Sequence, residues 1–242
     1  MTAALEVRGL CAGYAGVPAL RDFDLTLQPG EVLTLLGANG AGKTTALLAI
    51  VGAVAPMAGS VTCFGEELTG RRVDQVARMG VALVPDDRGI FFGLTVGEHL
   101  RLAHAADGDA AREQALERFP QLRPLMRRRC GLLSGGEQQM LALAKVLVGR
   151  PRVLLIDEMS LGLAPLVVQR LLPVIRELAS DHGTAVVLVE QHVDLALQVA
   201  DHAMVLNRGR VTLAGRASAL QADRAAVEAA YFGQLESAAA AG

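Results

Sequence analysis

The spacing of apolar and polar positions changes several times along the chain. Leu5 and Val7 alternate with polar neighbours, and Phe23, Leu25 and Leu27 alternate with Asp22, Asp24 and Thr26. A period of two predicts short strands of a half-buried sheet within residues 5–30. Gly59-Ser60-Val61-Thr62-Cys63-Phe64-Gly65 reads as another β piece. Continuous apolar runs at Val32-Leu33-Thr34-Leu35-Leu36, Val81-Ala82-Leu83-Val84, Val153-Leu154-Leu155-Ile156 and Ala185-Val186-Val187-Leu188-Val189 predict strands buried on both faces. From 95 to 150 the pattern turns helical, with a polar amphipathic segment at 112–119 stopped by Pro120 and an apolar-rich helix at 138–148. No linker rich in Ser or Pro sets this part off, so it reads as an insertion between sheet strands. Met204-Val205-Leu206 and Val211-Thr212-Leu213 flank Asn207-Arg208-Gly209-Arg210 as a closing hairpin, and 217–242 is alanine-rich, helical before fraying at 237–242.

Composition narrows the class. At 242 residues, 52% hydrophobic and 20% charged, the chain can bury a sizeable core. No apolar stretch approaches the ~18 residues of a membrane span, although the protein can rest against one that does span. Met1-Thr2-Ala3-Ala4-Leu5-Glu6 lacks the blocks of a secretory signal. Cys11, Cys63 and Cys130 are far apart and odd in number, which predicts reduced thiols in the cytosol. A net charge of −2 leaves no electrostatic footprint for nucleic acid, and Arg127-Arg128-Arg129 reads as solvated surface.

The chemistry centres on Gly37-Ala38-Asn39-Gly40-Ala41-Gly42-Lys43-Thr44-Thr45, between the run at 32–36 and the apolar helix that follows. This is strand, glycine-rich loop, helix, with G-x-x-x-x-G-K-T at the turn. Glycines let successive backbone N–H groups curl round phosphate oxygens, and the first helical turn adds unpaired N–H groups and a positive dipole end. Lys43 neutralises the β- and γ-phosphates in this reading, and the Thr44 hydroxyl faces Mg²⁺.

Leu133-Ser134-Gly135-Gly136-Glu137-Gln138-Gln139 opens the second predicted helix. Ser134 and Glu137 fit a capping box, but the two glycines exceed what a cap needs and strip the first turn for a second phosphate. Asp157 and Glu158 end a buried strand, where α/β sheets meet ligand and metal. Asp157 is the candidate Mg²⁺ ligand and Glu158 the group that polarises the water attacking the γ-phosphate. His192 follows the strand at 185–189, within reach of a γ-phosphate, whereas His99, His104, His182 and His202 have no better claim than structural or exposed roles. Tyr14, between Gly13 and Ala15-Gly16, reads equally as a packed surface aromatic and as a platform for a base. Pro85-Asp86-Asp87-Arg88-Gly89 closes another strand, as a solvated turn or a ligand-facing one.

Together these pieces resemble an ABC-type ATPase over roughly residues 5 to 232, with LSGGEQQ between a phosphate loop and VLLIDE as the specific signal. The resemblance implies a P-loop core, an antiparallel β subdomain (about 1–31 and 58–68) and a helical subdomain (about 92–150) in one domain of 1–237, with a frayed tail at 238–242. It further implies ATP and Mg²⁺ as ligands, and a second ATPase subunit facing head to tail. In that arrangement Gly37, Asn39, Gly40, Ala41, Gly42, Lys43, Thr44 and Thr45 of one chain bind the nucleotide, with Tyr14 on the base. Ser134, Gly135, Gly136 and Gln138 of the other chain complete the site. Glu158 and His192 match the catalytic glutamate and switch histidine, and Thr44, Asp86 and Asp157 the metal-facing positions. A closer similarity, through Met159-Ser160-Leu161-Gly162-Leu163-Ala164-Pro165, Val189-Glu190-Gln191-His192, Phe91-Phe92-Gly93-Leu94-Thr95-Val96 and Ala230-Tyr231-Phe232-Gly233, is to the shorter ATPase of branched-chain amino-acid importers. That likeness implies two integral-membrane subunits, a substrate-binding protein and a peripheral place on the cytoplasmic face of the membrane.

The chain departs from the family at three positions. Asp86 stands where a glutamine or glutamate is usual, Met159 where proline follows the catalytic glutamate, and Ala164 where an aspartate crosses the dimer interface. None removes a phosphate or hydrolysis residue, so an active ATPase is expected. The rival readings are an importer of another small cargo, such as urea or an amide, and a soluble ABC protein acting on nucleic acid. The single cassette and the lack of basic excess weigh against the second rival.

Overall fold

The continuous apolar runs become neighbours in one sheet. The computed structural model describes residues 2–103 and 108–233. Its elements are β1 (Leu5–Tyr14), β2 (Val17–Leu27), β3 (Val32–Leu36), α1 (Lys43–Ile50), β4 (Pro56–Cys63), β5 (Glu66–Glu67), α2 (Val73–Arg78) and β6 (Val81–Val84). There follow α3 (Val96–Arg101), α4 (Gly108–Arg118), two 3₁₀ turns, α5 (Gly135–Val148), β7 (Val153–Ile156), α6 (Pro165–His182) and β8 (Ala185–Glu190). The chain closes with α7 (Val193–Val199), β9 (His202–Asn207), β10 (Arg210–Arg216), α8 (Ala217–Ala222) and α9 (Arg224–Tyr231).

Six strands lie in the order β10-β9-β3-β8-β7-β6, with β9, β3, β8, β7 and β6 parallel and β10 antiparallel at the edge. Alternation decides which core each side chain enters. Val153, Leu155, Ala185, Val187 and Val189 pack on one face with α1 and the first two strands, while Leu154, Ile156, Val186 and Leu188 pack on the other with α5 and α6. Both faces are covered, which is why these runs are apolar without a break. Leu36 pairs with Glu190, Leu188 with Ile156 and Ile156 with Val84. That register brings the loops after β3, β8, β7 and β6 to one edge, where parallel sheets bind ligands.

A second sheet, β2-β1-β4-β5, is antiparallel. The short strands predicted in 5–30 are two long ones of 10 and 11 residues. They turn through Ala15 (φ 49°) and Gly16 (φ 80°), a two-residue hairpin whose positive φ pair matches strand twist. The predicted closing hairpin forms the same way at Arg208 and Gly209 (φ 47° and 80°). The insertion between β6 and β7 holds α3 to α5, and α5 starts directly after the Ser134 cap expected to open it, three residues ahead of the apolar stretch at 138–148. Helices α8 and α9 occupy 217–231, while His104, the residues 234–242 and the predicted frayed tail lie outside the described residues. Cys63 and Cys130 are buried, Cys11 is half-buried, and all three thiols are free. Among the described residues no helix is long and apolar enough to cross a membrane.

Candidate active site

The loop after β3 is built around conformations only glycine adopts easily. Gly37, Gly40 and Gly42 have φ of 151°, 79° and 106°. A Cβ on Gly37 would lie 2.3 Å from the Leu206 carbonyl oxygen, and one on Gly42 2.8 Å from that of Ala19. These two glycines are therefore fixed by packing as well as by φ, whereas Gly40 has open space and needs only the positive φ. Asn39 and Thr44 are exposed, while Ala41 and Thr45 are buried.

Lys43 is 4% exposed, and its Nζ donates to the carbonyls of Gly37 (2.8 Å) and Ala38 (3.1 Å). The Glu158 carboxylate lies 3.7 Å away. Burial lowers the Lys43 pKa, opposed by the charges of Glu158, Asp157 and Glu190. Asp157, 3% exposed, is pushed the other way: burial raises its pKa, against the Thr44 hydroxyl and Lys43, with Glu158 and Asp86 adding to the rise. One Asp157 oxygen is buried without a partner. An orphaned carboxylate oxygen beside a threonine hydroxyl is a donor set suited to a hard divalent cation that also takes oxygens from a phosphate. Asp86, in the loop just after β6, is exposed.

Glu158 has φ 44°, a left-handed backbone outside glycine. It is held there by its N–H donating to Val189 O (3.0 Å) and its carbonyl accepting from Leu161 N (3.0 Å). Strain of this kind persists only where the surroundings over-determine it. A cleft of about 150 Å³ opens beside it, lined by Glu158, by 160–163 and by Glu190, Gln191 and His192. His192 is exposed at the start of α7. Two features in and beside this cleft are not singled out by sequence spacing. Glu190 is 1% exposed and accepts from Ser160 N (2.9 Å) and Oγ (2.6 Å). Tyr231 in α9 lines a neighbouring pocket together with Gln191 and His192, and burial, with the charge of Glu158 adding to it, raises its phenol pKa. The sequence offers a glutamate ending an apolar strand for the first and, for the second, only the Ala230-Tyr231-Phe232-Gly233 ending that carries part of the resemblance.

Tyr14 is 53% exposed beside the hairpin turn, on the sheet that crosses the loop at Ala19 and Gly42. The Ser134 turn closes its capping box, with Glu137 N donating to Ser134 Oγ (3.3 Å) and Ser134 N to Glu137 Oε2 (2.7 Å). The turn's contacts within the chain run to the loop after Glu158 and to α6: a Cβ on Gly135 would meet Leu163 at 3.5 Å, and one on Gly136 would meet Val167 at 3.1 Å. Packing alone thus asks for a small residue at 136. The Gln138 amide is also used inside the chain, towards Leu133 O (3.3 Å) and Arg88 (3.1 Å). Met159 is fully buried in the core, and Ala164 sits at the start of α6 ahead of Pro165.

A glycine loop between a parallel strand and a helix, a buried lysine at the first helical position and two acids ending a nearby strand define a nucleoside-triphosphate-hydrolysing α/β protein. The family model described as ABC transporter matches residues 20–160. The high-affinity branched-chain amino acid transport ATP-binding protein BraG of Pseudomonas aeruginosa is 40% identical over 211 residues, 86% of this chain and 90% of that protein. The probable branched-chain amino acid transport ATP-binding protein LivF of Archaeoglobus fulgidus is 36% identical over 215 residues, covering 87% and 91%. A solved ATP-binding subunit of an ABC transporter superposes with a TM-score of 0.83 at 27% identity, over 96% of this chain and 99% of its own. The chain belongs to the ABC transporter family and is one of its ATPases.

Proposed function

We propose that this chain is the ATP-hydrolysing subunit of an importer for branched-chain or other hydrophobic amino acids, bound peripherally to two membrane-spanning subunits on the cytoplasmic face. The names of the relatives support the cargo. The observation that carries the chemistry is the meeting of Lys43, Thr44, Asp157 and Glu158 at one sheet edge. Lys43 and the N–H groups of the loop from Gly37 to Thr45 bind the phosphates, and Tyr14 stacks on the base. Thr44 and Asp157, with Asp86 beside them, would hold Mg²⁺, which would neutralise charge developing on the phosphate oxygens. Glu158 takes the proton of the attacking water, and His192 donates to the γ-phosphate. Ser134, Gly135, Gly136 and Gln138 come from a facing ATPase subunit, a second copy or a related chain. Closure of that pair drives the membrane subunits, which receive cargo from a substrate-binding protein, and no nucleic acid takes part.

Two variants test this. Lys43→Ala abolishes tight ATP binding, and Glu158→Gln keeps binding while turnover falls about 100-fold or more, the range for a positioned general base. Wild-type turnover in either variant refutes the assignment. The cargo is tested by which amino acids stimulate ATP hydrolysis in the assembly with its membrane subunits and binding protein. Failure of leucine, isoleucine and valine to stimulate it removes the branched-chain reading.

A further inference from the structure

The loop after β6 carries a second charged group besides its acids. Arg88 has φ 67° and Gly89 56°, and left-handed backbone at a residue other than glycine is kept only where its surroundings fix it. The guanidinium supplies that fixing. Its Nε donates to Gln139 Oε1 (3.1 Å), one Nη to Gln138 Oε1 (3.1 Å) and the other to the Leu161 carbonyl (3.2 Å). Three acceptors from two segments fit the rigid fork of arginine, which a lysine ammonium does not reproduce. Gln139 is 3% exposed, so its carbonyl is a buried acceptor met by a charged donor. The turns at Gly135 and Gly162 both run alongside the fork, a Cβ on either lying in ordinary contact with Arg88 Nη2 at 3.7 and 3.9 Å.

We propose that Arg88 is a positioning residue for ATP hydrolysis, tying the loop that bears Asp86 both to the first turn of α5 and to the loop that follows Glu158. Leu161 N donates to the Glu158 carbonyl, so the Arg88 bond to Leu161 O reaches the left-handed Glu158 through one turn. A shift of the α5 turn against the sheet must move the loop at 160–163 with it or break charge-assisted bonds. The inference rests on the role of Glu158 proposed above and adds how that residue is made to respond to the helical insertion.

The test uses the full chain with Arg88→Ala, Arg88→Lys, Gln139→Leu and the double variant Arg88→Ala/Gln139→Leu. Hydrogen exchange is followed at 160–163 and 135–139, and kcat and KM for ATP are measured. Loss of bonds from a charged donor is expected to speed exchange in both segments about tenfold and lower kcat about tenfold, with KM within about twofold. Arg88→Lys recovers part of kcat, Gln139→Leu lowers it less than Arg88→Ala, and the double variant is no worse than Arg88→Ala alone, as partners in one network require. Unchanged exchange at 160–163, unchanged kcat in Arg88→Ala, or strict additivity in the double variant overturns the proposal. Should Arg88→Ala fail to fold, wild-type exchange and kcat in both Arg88→Lys and Gln139→Leu overturn it equally. The exchange result stands apart from the assignment of Glu158, which fails separately if Glu158→Gln turns over normally.

Discussion

Ser160→Ala is a small change with a calculable cost. The hydroxyl of Ser160 donates to a Glu190 oxygen at 2.6 Å, and its backbone N–H to the other at 2.9 Å, in a site where Glu190 is 1% exposed. Removing the hydroxyl leaves one buried carboxylate oxygen short of its strongest donor, a loss of about 2 kcal/mol for a bond to a charged group. For a domain of this size that lowers Tm by about 4–8 °C, read by circular dichroism. The penalty also carries a pH signature. Burial raises the Glu190 pKa, outweighing the Ser160 bonds that oppose it. The folded chain therefore holds the Glu190 proton to higher pH than the unfolded chain does. The contribution of Glu190 to stability is greatest below the unfolded value of about 4.3 and is lost as pH rises through the raised folded value. Without the hydroxyl the folded value rises further. The cost of Ser160→Ala is then largest where Glu190 is ionised and shrinks as pH falls through its folded pKa, so the Tm difference grows as pH rises through that value. A Tm within 1 °C of wild type, or a difference that does not vary with pH, refutes this account of the cleft.

Two further predictions separate packing from binding. Gly37→Ala forces a Cβ to within 2.3 Å of the Leu206 carbonyl, whereas Gly40→Ala meets only an unfavourable φ of 79°. The first is expected to lose well over 2 kcal/mol in denaturant unfolding and the second about 1, and equal losses contradict the loop geometry. Tyr14→Ala, at a position 53% exposed, leaves stability within about 0.5 kcal/mol but weakens ATP binding by the 1–3 kcal/mol of a stacked base, with Tyr14→Phe near wild type. Unchanged ATP affinity in Tyr14→Ala makes it a surface aromatic only.

Much of this was legible in the residues. The strand runs, the loop from Gly37 to Thr45 and the acid pair at Asp157 and Glu158 announce themselves because each is local, carried by a few adjacent positions whose spacing follows from backbone geometry. The capping box at Ser134 is local in the same sense, and it placed the start of α5 where the apolar pattern alone missed by three residues. The tie from Glu190 to Ser160 spans 30 residues and that from Arg88 to Gln139 spans 51. Such pairs depend on which strands become neighbours and on a left-handed residue such as Glu158 turning the loop back, information no window of sequence holds. The glycines at 135 and 136 answer two demands at once. Read locally they clear the first turn of α5 for a phosphate, and within the chain a Cβ on Gly136 would also crowd Val167 at 3.1 Å, a demand set by α6, much further along the chain.

The central claim is that the Lys43 loop and the Ser134 turn of two facing subunits close on one ATP. A structure of the Glu158→Gln assembly with ATP and Mg²⁺ tests it most directly. The account predicts the γ-phosphate bonded to Lys43 of one subunit and to Ser134 and Gly136 of the facing one; a nucleotide contacted by one polypeptide alone, with the Ser134 turn open to solvent, contradicts it.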